Sequence, residues 1–107
     1  MGAVRNLDGK ARMASRWRRR RMCVLVAARP APAALRDVSA IGAFVETNLR
    51  PEIGAPVELR HPEAGTIEGF VRAVTDDGVS IAFACGERSV AFALAAIAAD
   101  MSRPDAA

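Results

Sequence analysis

The chain has 107 residues, of which 51% are hydrophobic and 5% aromatic, and its formal net charge at pH 7 is +3. This length supports one domain with a modest, largely aliphatic core, and the hydrophobic content excludes a disordered chain. No apolar run approaches the length of a membrane span, so no membrane insertion is expected. Eight of the first 21 residues are Lys or Arg, whereas the remainder of the chain is net acidic. A local anionic partner is therefore favoured over a uniformly basic nucleic-acid surface.

Residues 1–15 show no hydrophobic period and are predicted to form a flexible N-terminal tail. In the segments that follow, strand-forming composition or period-two alternation is interrupted by turn residues. Pro30 and Pro32 are expected to end the first strand, and Asp77-Gly78 is expected to form a hairpin turn. The predicted strands are 22–26, 33–38, 42–47, 57–61, 67–74 and 79–84.

The segment from Val90 to Met101 is rich in alanine and free of helix-breaking residues, so it predicts a short C-terminal helix. The alternative is that residues 90–92 begin as a strand. Short strands at close spacing with turn signals predict an all-β fold, a small antiparallel six-stranded β-barrel. We expect one domain over residues 16–101, followed by a C-terminal tail at 102–107.

The two cysteines, Cys23 and Cys85, have no metal-binding or redox spacing and are predicted to be buried free thiols. The apolar residues 22–28 follow a basic segment, as the centre of a signal peptide would. Arg29 and Pro30 end that run abruptly, however, and cleavage would remove the first predicted strand. The predicted location is therefore the cytoplasm.

A dense basic run, Arg16-Trp17-Arg18-Arg19-Arg20-Arg21, directly precedes the first strand. A guanidinium is planar and permanently charged, so it can bind phosphate or stack on a flat base. Such runs are more often solvated tails or nucleic-acid patches. Arginines rooted at a strand entrance are nevertheless held near the barrel. The candidates for contacts with an anionic ligand are Arg16, Arg19, Arg20 and Arg21.

A second motif, Asp37-Val38-Ser39-Ala40-Ile41-Gly42, follows the next predicted strand. A carboxylate and a hydroxyl beside a glycine suit the polar edge of a guanine. The alternative is an ordinary turn in which Asp and Ser bond the neighbouring backbone and Gly takes a positive φ. Asp37, Ser39 and Gly42 are therefore candidate binding residues, and together with the arginines they indicate a site for an anionic nucleotide.

Catalysis is not indicated. His61 is the only histidine, so a Ser–His or Cys–His arrangement would depend on it. Its position beside Arg60 predicts a surface or loop-edge residue. The sequence has no phosphate-cradling glycine loop and no metal-ligand spacing. We therefore expect no enzyme, no catalytic residue, no bound metal and no cofactor.

Taken in order along the chain, these features resemble a PilZ domain over about residues 16–84. The resemblance rests on Arg16 to Arg20, the motif Asp37 to Gly42, the strand 43–47, the step 54–59 and the closing strand 78–83. It implies a bacterial receptor for the second messenger cyclic di-GMP, which such domains often bind as a stacked dimer on the outside of the barrel.

The resemblance also implies the role of each residue. Two arginines, Arg16 and Arg20, would hold phosphate and contact guanine, with Arg19 or Arg21 as alternatives. Asp37 and Ser39 would recognise guanine edges and phosphate. The motif glycine, Gly42, would keep the surface open for the ligand.

We expect no fused output domain, so the signal would pass to an effector protein whose identity is open. Ligand would order the arginine segment against the barrel and present a new surface. Two alternatives remain. The first is an adaptor of the same fold that binds no ligand, and the second, less favoured, is a nucleic-acid binder that uses the arginine run.

Overall fold

The structure of the protein is a computed structural model that describes residues 21–101. Alternating sequences fold into a closed barrel of six antiparallel strands, to which one helix is added. The elements are β1 (Arg21–Val26), β2 (Pro30–Ser39), β3 (Gly42–Glu46), β4 (Pro56–His61), β5 (Gly65–Val74), β6 (Gly78–Phe83) and α1 (Glu87–Met101). No helix in this part of the chain has the length and apolar character that crossing a membrane requires.

The strand order around the barrel is β1-β2-β3-β6-β5-β4, and pairing of β1 with β4 closes it. Because side chains alternate between the two faces of a strand, every second residue points into the barrel. Those inward residues are aliphatic and form one core; its most deeply buried members include Leu25, Val45, Leu59, Val79 and Ile81. The predicted all-β barrel with a C-terminal helix is confirmed.

Helix α1 covers one end of the barrel. It begins at Glu87, three residues before the predicted start, after a cap in which Gly86 N–H donates to Ser89 Oγ at 3.0 Å. The ring of Phe92 packs edge-on against Phe83 at 5.8 Å and against His61 at 6.1 Å. The alternative in which residues 90–92 begin as a strand is wrong, since they lie inside the helix.

Strand β2 contains both prolines that were expected to end the first strand. Pro30 pairs with Val26 and Pro32 pairs with Val24. Thr47 Oγ1 donates to the Pro32 carbonyl at 2.9 Å, so that carbonyl points away from β1. The nitrogen of the same residue points to the same side, where β3 pairs only from Ala34 onward. The missing N–H therefore costs no bond to β1. Strand β1 ends at Val26 as predicted, but the prolines do not end it: they lie in β2, which begins three residues before its predicted start at Ala33.

Two side chains differ from their predicted exposure. Cys23 is buried as predicted, but Cys85 is exposed. His61 is only 4% exposed, because it follows Val57 and Leu59 on the inward face of β4. Its Nδ1 accepts hydrogen bonds from the N–H groups of residues 63 and 64, both at 2.9 Å. The predicted surface histidine is thus a neutral core residue that anchors the turn after β4.

Candidate functional site

A groove on the outer face of the barrel crosses four adjacent strands, β2, β3, β6 and β5. Its volume is about 190 Å³. The predicted motif residues Asp37, Ser39 and Gly42 all line it. Its other lining residues are Val38, Ile41, Ala43, Phe44, Arg72, Ser80 and Ile81. We call it the Asp37 groove.

Strand register places side chains from distant parts of the sequence in one row across this groove. Asp37 pairs with Phe44, Phe44 pairs with Ser80, and Ser80 pairs with Ala73. Directly opposed residues have Cβ atoms about 4.5–5.5 Å apart. The row therefore brings a carboxylate, an aromatic ring and a hydroxyl into one continuous surface.

Two register irregularities place an arginine at each side of the row. On β2 the register shifts between Leu35 and Asp37, and on β5 it shifts between Val71 and Ala73. The extra residue in each case is an arginine, Arg36 or Arg72, and both side chains are exposed. A bulge of this kind bends the strand and redirects a side chain. Without the shift on β2, strict alternation after buried Leu35 would turn Asp37 toward the core.

The charges in and beside the groove are arranged asymmetrically. Arg36 forms an ion pair with Glu46 at 3.1 Å, and its guanidinium lies 5.1 Å from the centroid of the Phe44 ring. The Asp37 carboxylate and the Arg72 guanidinium have neither a hydrogen-bond nor an ion-pair partner among residues 21–101. The groove thus offers one available anion and one available cation beside an aromatic ring that a second cation holds in place.

The other two motif residues have local structural roles. Ser39 Oγ accepts a hydrogen bond from Ile41 N–H at 3.2 Å, which matches the predicted turn. The positive φ that belongs to the alternative of an ordinary turn does not occur at Gly42: among the described residues the glycines with positive φ are Gly54 and Gly65. Gly42 is needed because a Cβ there would overlap the backbone carbonyl oxygen of Ile81.

The arginine candidates fall into two groups. Arg16, Arg19 and Arg20 lie outside the described residues. Arg21 is the first residue of β1; its side chain is 14% exposed, forms an ion pair with Glu63 at 3.5 Å, and does not line the groove. Its pairing partner is Leu35, two residues before Asp37. The chain therefore enters the barrel beside the groove, although Arg21 itself turns away from it.

Three groove residues were not identified from the sequence: Phe44, Arg72 and Ser80. The outward position of Phe44 could have been predicted from the sequence, because in an alternating strand it lies between Ala43 and Val45, which are apolar and buried. That of Arg72 could not, since its placement depends on a bulge that no local composition marks.

The arrangement suits recognition of a planar polar group, with donors, acceptors and an aromatic ring at short range. His61 is on the inner face of the barrel, away from the groove. No group of three or more His, Cys, Asp or Glu side chains that could hold a metal ion occurs in the described part of the chain.

Comparisons of the chain with protein-family models, with curated proteins and with solved structures found no match.

Proposed function

We propose that the Asp37 groove binds a guanine nucleotide, cyclic di-GMP, and that the protein is a PilZ-type receptor without catalytic activity or cofactor. The observation that carries this proposal is the convergence of Asp37, Ser39 and Gly42 in one outward-facing groove with Arg72, whose guanidinium has no ion-pair partner among residues 21–101.

The chemistry of the groove complements guanine. Guanine presents two adjacent kinds of N–H donor on one edge, which a carboxylate such as Asp37 accepts. Its other edge presents the N7 and O6 acceptors, to which an arginine such as Arg72 can donate two bonds. A ring such as Phe44 provides an apolar surface beside the base. Both charged groups are without partners in the described part of the chain, so binding need not break an ion pair there.

The size of the groove limits what it can hold. Pockets for drug-sized ligands usually have volumes of about 300–1,000 Å³, and this one has about 190 Å³. It therefore accommodates one base and leaves the phosphates to another element. In this proposal the arginine run supplies that element. Its last residue, Arg21, is described and pairs with Leu35, two residues before Asp37. Strand geometry puts the Cα atoms of Arg21 and Asp37 on the order of 8 Å apart.

In this proposal the ligand draws the arginine segment toward the groove. Ordering of that segment presents a new surface, and an effector protein recognises it. The same proposal includes a cytoplasmic location for this binding, as for other second messengers.

Titration calorimetry with cyclic di-GMP tests it. Loss of a good bidentate contact to a base costs about 1–3 kcal/mol, so Asp37→Ala and Arg72→Ala should each weaken binding by roughly 5- to 150-fold. Arg20→Ala should also weaken it. Matched controls are Asp76→Ala and Arg29→Ala, which remove exposed charges outside the groove. Cyclic di-AMP should bind poorly, because adenine presents an acceptor where guanine presents a donor to Asp37.

The same titrations separate the alternatives. Absence of binding by the unmodified protein across a wide ligand range would refute the receptor and leave the ligand-independent adaptor. Steeply salt-dependent binding to any duplex, insensitive to Asp37→Ala, would instead indicate a nucleic-acid binder.

A further inference from the structure

A second groove on the barrel exterior contains a large exposed aromatic ring. Its volume is about 440 Å³, and it crosses β1, β4, β5 and the end of β6. Phe70 lies in it with 55% of its surface exposed. The other lining residues are Val26, Pro56, Val57, Glu58, Glu68, Gly69 and Ala84. We call it the Phe70 groove.

Strand register again explains why these side chains share a surface. Glu58 pairs with Val26 on one side and with Glu68 on the other. Phe70 is two residues beyond Glu68 on β5 and therefore points to the same, outer face. The ring thus lies beside two carboxylates that oppose each other directly on neighbouring strands.

The two carboxylates are not equally compensated. Glu58 Oε1 accepts hydrogen bonds from Arg60 Nη2 at 3.0 Å and Nε at 3.2 Å. Glu68 has no hydrogen-bond or ion-pair partner among residues 21–101. Like charges directly opposite each other across a strand pair destabilise a sheet. The groove therefore has an uncompensated negative charge next to an exposed aromatic face.

We propose that the Phe70 groove docks an arginine side chain from a basic segment of a partner protein. A guanidinium placed over an aromatic ring is attracted by the ring's negative face, and its N–H groups fit a carboxylate in a planar, bidentate arrangement. Phe70 provides the first contact and Glu68 the second. Apolar parts of the same segment cover Val26 and Pro56.

Other occupants fit the groove less well. A purely apolar partner would remove the Glu68 carboxylate from water without a counter-charge, which is costly. A phosphate-bearing ligand would meet two carboxylates. Charge complementarity therefore selects a cation, and the ring selects a flat one over a compact ammonium.

This groove is separate from the Asp37 groove but adjoins it. Phe70 and Arg72 are two residues apart on β5, and Ala82 pairs with both Phe70 and Gly42. The inference does not rest on the proposed nucleotide binding, since the two grooves share no lining residue.

The test is an NMR titration of the full chain with a short glycine–serine peptide that carries two arginines. The matched control peptide contains citrulline, which keeps the shape of arginine and removes its charge. We expect saturable shifts at residues 68–70 with the arginine peptide alone. Glu68→Gln and Phe70→Leu should each weaken binding by about two- to fivefold. Phe70→Trp should strengthen it, because tryptophan is the best cation–π partner.

Glu52→Gln is the control variant, since it removes an exposed carboxylate outside the groove. Because Glu68 and Phe70 are exposed, their variants should keep the dispersed spectrum of the folded barrel. Equal binding of the citrulline peptide, or unchanged binding by Glu68→Gln, would overturn the proposal. Self-association of the unmodified chain in sedimentation velocity that disappears in Glu68→Gln would also overturn it, because the occupant would then be a second copy.

Discussion

Replacement of Gly42 by alanine should destabilise the barrel substantially. The added Cβ would overlap the carbonyl oxygen of Ile81 and approach Ala82 Cα to 3.5 Å. Both obstacles are backbone atoms of β6, held by the pairing of Gly42 with Ala82. Neither can rotate away as a side chain would, so β3 and β6 must separate locally to admit the methyl group.

The size of the effect follows from that geometry. Overpacking a well-packed interior costs about 1–3 kcal/mol, and an obstacle made of backbone places Gly42→Ala in the upper half, at about 2–3 kcal/mol. In a domain of this size each 1 kcal/mol changes Tm by about 4–8 °C. The midpoint should therefore fall by roughly 10–20 °C.

Urea denaturation and thermal melting measure this directly. Gly86→Ala is the matched control, because nothing lies within 4 Å of a Cβ at Gly86. Its position at the helix cap predicts a loss below about 1 kcal/mol. If the free energy of unfolding of Gly42→Ala is within about 0.5 kcal/mol of that of the unmodified protein, the packing explanation for this glycine is wrong. An unchanged free energy of unfolding would then favour a role for Gly42 in ligand access alone.

Three further predictions concern the core and its titratable groups. Leu25→Ala should lower the free energy of unfolding by about 2–5 kcal/mol in urea, because the side chain is fully buried; a loss under 1 kcal/mol would contradict the closed core. Burial raises the pKa of Cys23 to about 11, so a thiol reagent should titrate only exposed Cys85 in the native protein and both thiols after denaturation; rapid reaction of both in the native state would contradict this. Burial and, secondarily, Arg21 lower the pKa of His61, so the folded state disfavours the imidazolium. The stability from this group is present above the unfolded pKa of about 6.5 and is lost as pH falls through it; in His61→Gln, urea midpoints between pH 7 and pH 5 should vary less than in the unmodified protein, and an unchanged slope would contradict the assignment.

The barrel could be predicted because its strands obey the period-two rule almost throughout. In the segment 57–61 that rule predicts the strand correctly, but the exposure predicted for His61 was wrong. Its alternation predicts a strand correctly, and the same alternation places His61 on the inward face with Val57 and Leu59. The predicted surface position of His61 was wrong because it followed from the polarity of the imidazole and not from the strand register. Two backbone N–H groups donate to the Nδ1 of the ring, so the polar side chain can be buried.

The prediction for the prolines of β2 was wrong for a different reason. A proline is excluded only where its missing N–H would face a neighbouring strand, and that depends on which strand pairs with which side. The sequence near Pro32 does not contain this information, because the relevant neighbour, β3, begins only at Gly42, ten residues later.

The candidate site was predictable in half. Asp37, Ser39 and Gly42 lie within six consecutive residues, so a sequence motif could identify them. Arg72 and Ser80 reach the same groove through the pairing of β5 and β6 with β3. Long-range register of this kind, and above all a bulge, is set by the closure of the whole barrel and not by local residue preference.

The bulges at Arg36 and Arg72 allow the outer face of the barrel to change without a change in its core. Each is a single additional residue, and the core residues Leu35 and Val71 beside them are buried regardless. Deleting Arg36 would place Asp37 directly after inward-facing Leu35, so strict alternation would keep Asp37 outward, opposite Phe44, and would remove only the guanidinium beside the Phe44 ring. Either bulge residue can therefore be lost by deletion without turning a core residue outward, so the outer face can lose a charge while the barrel keeps its core.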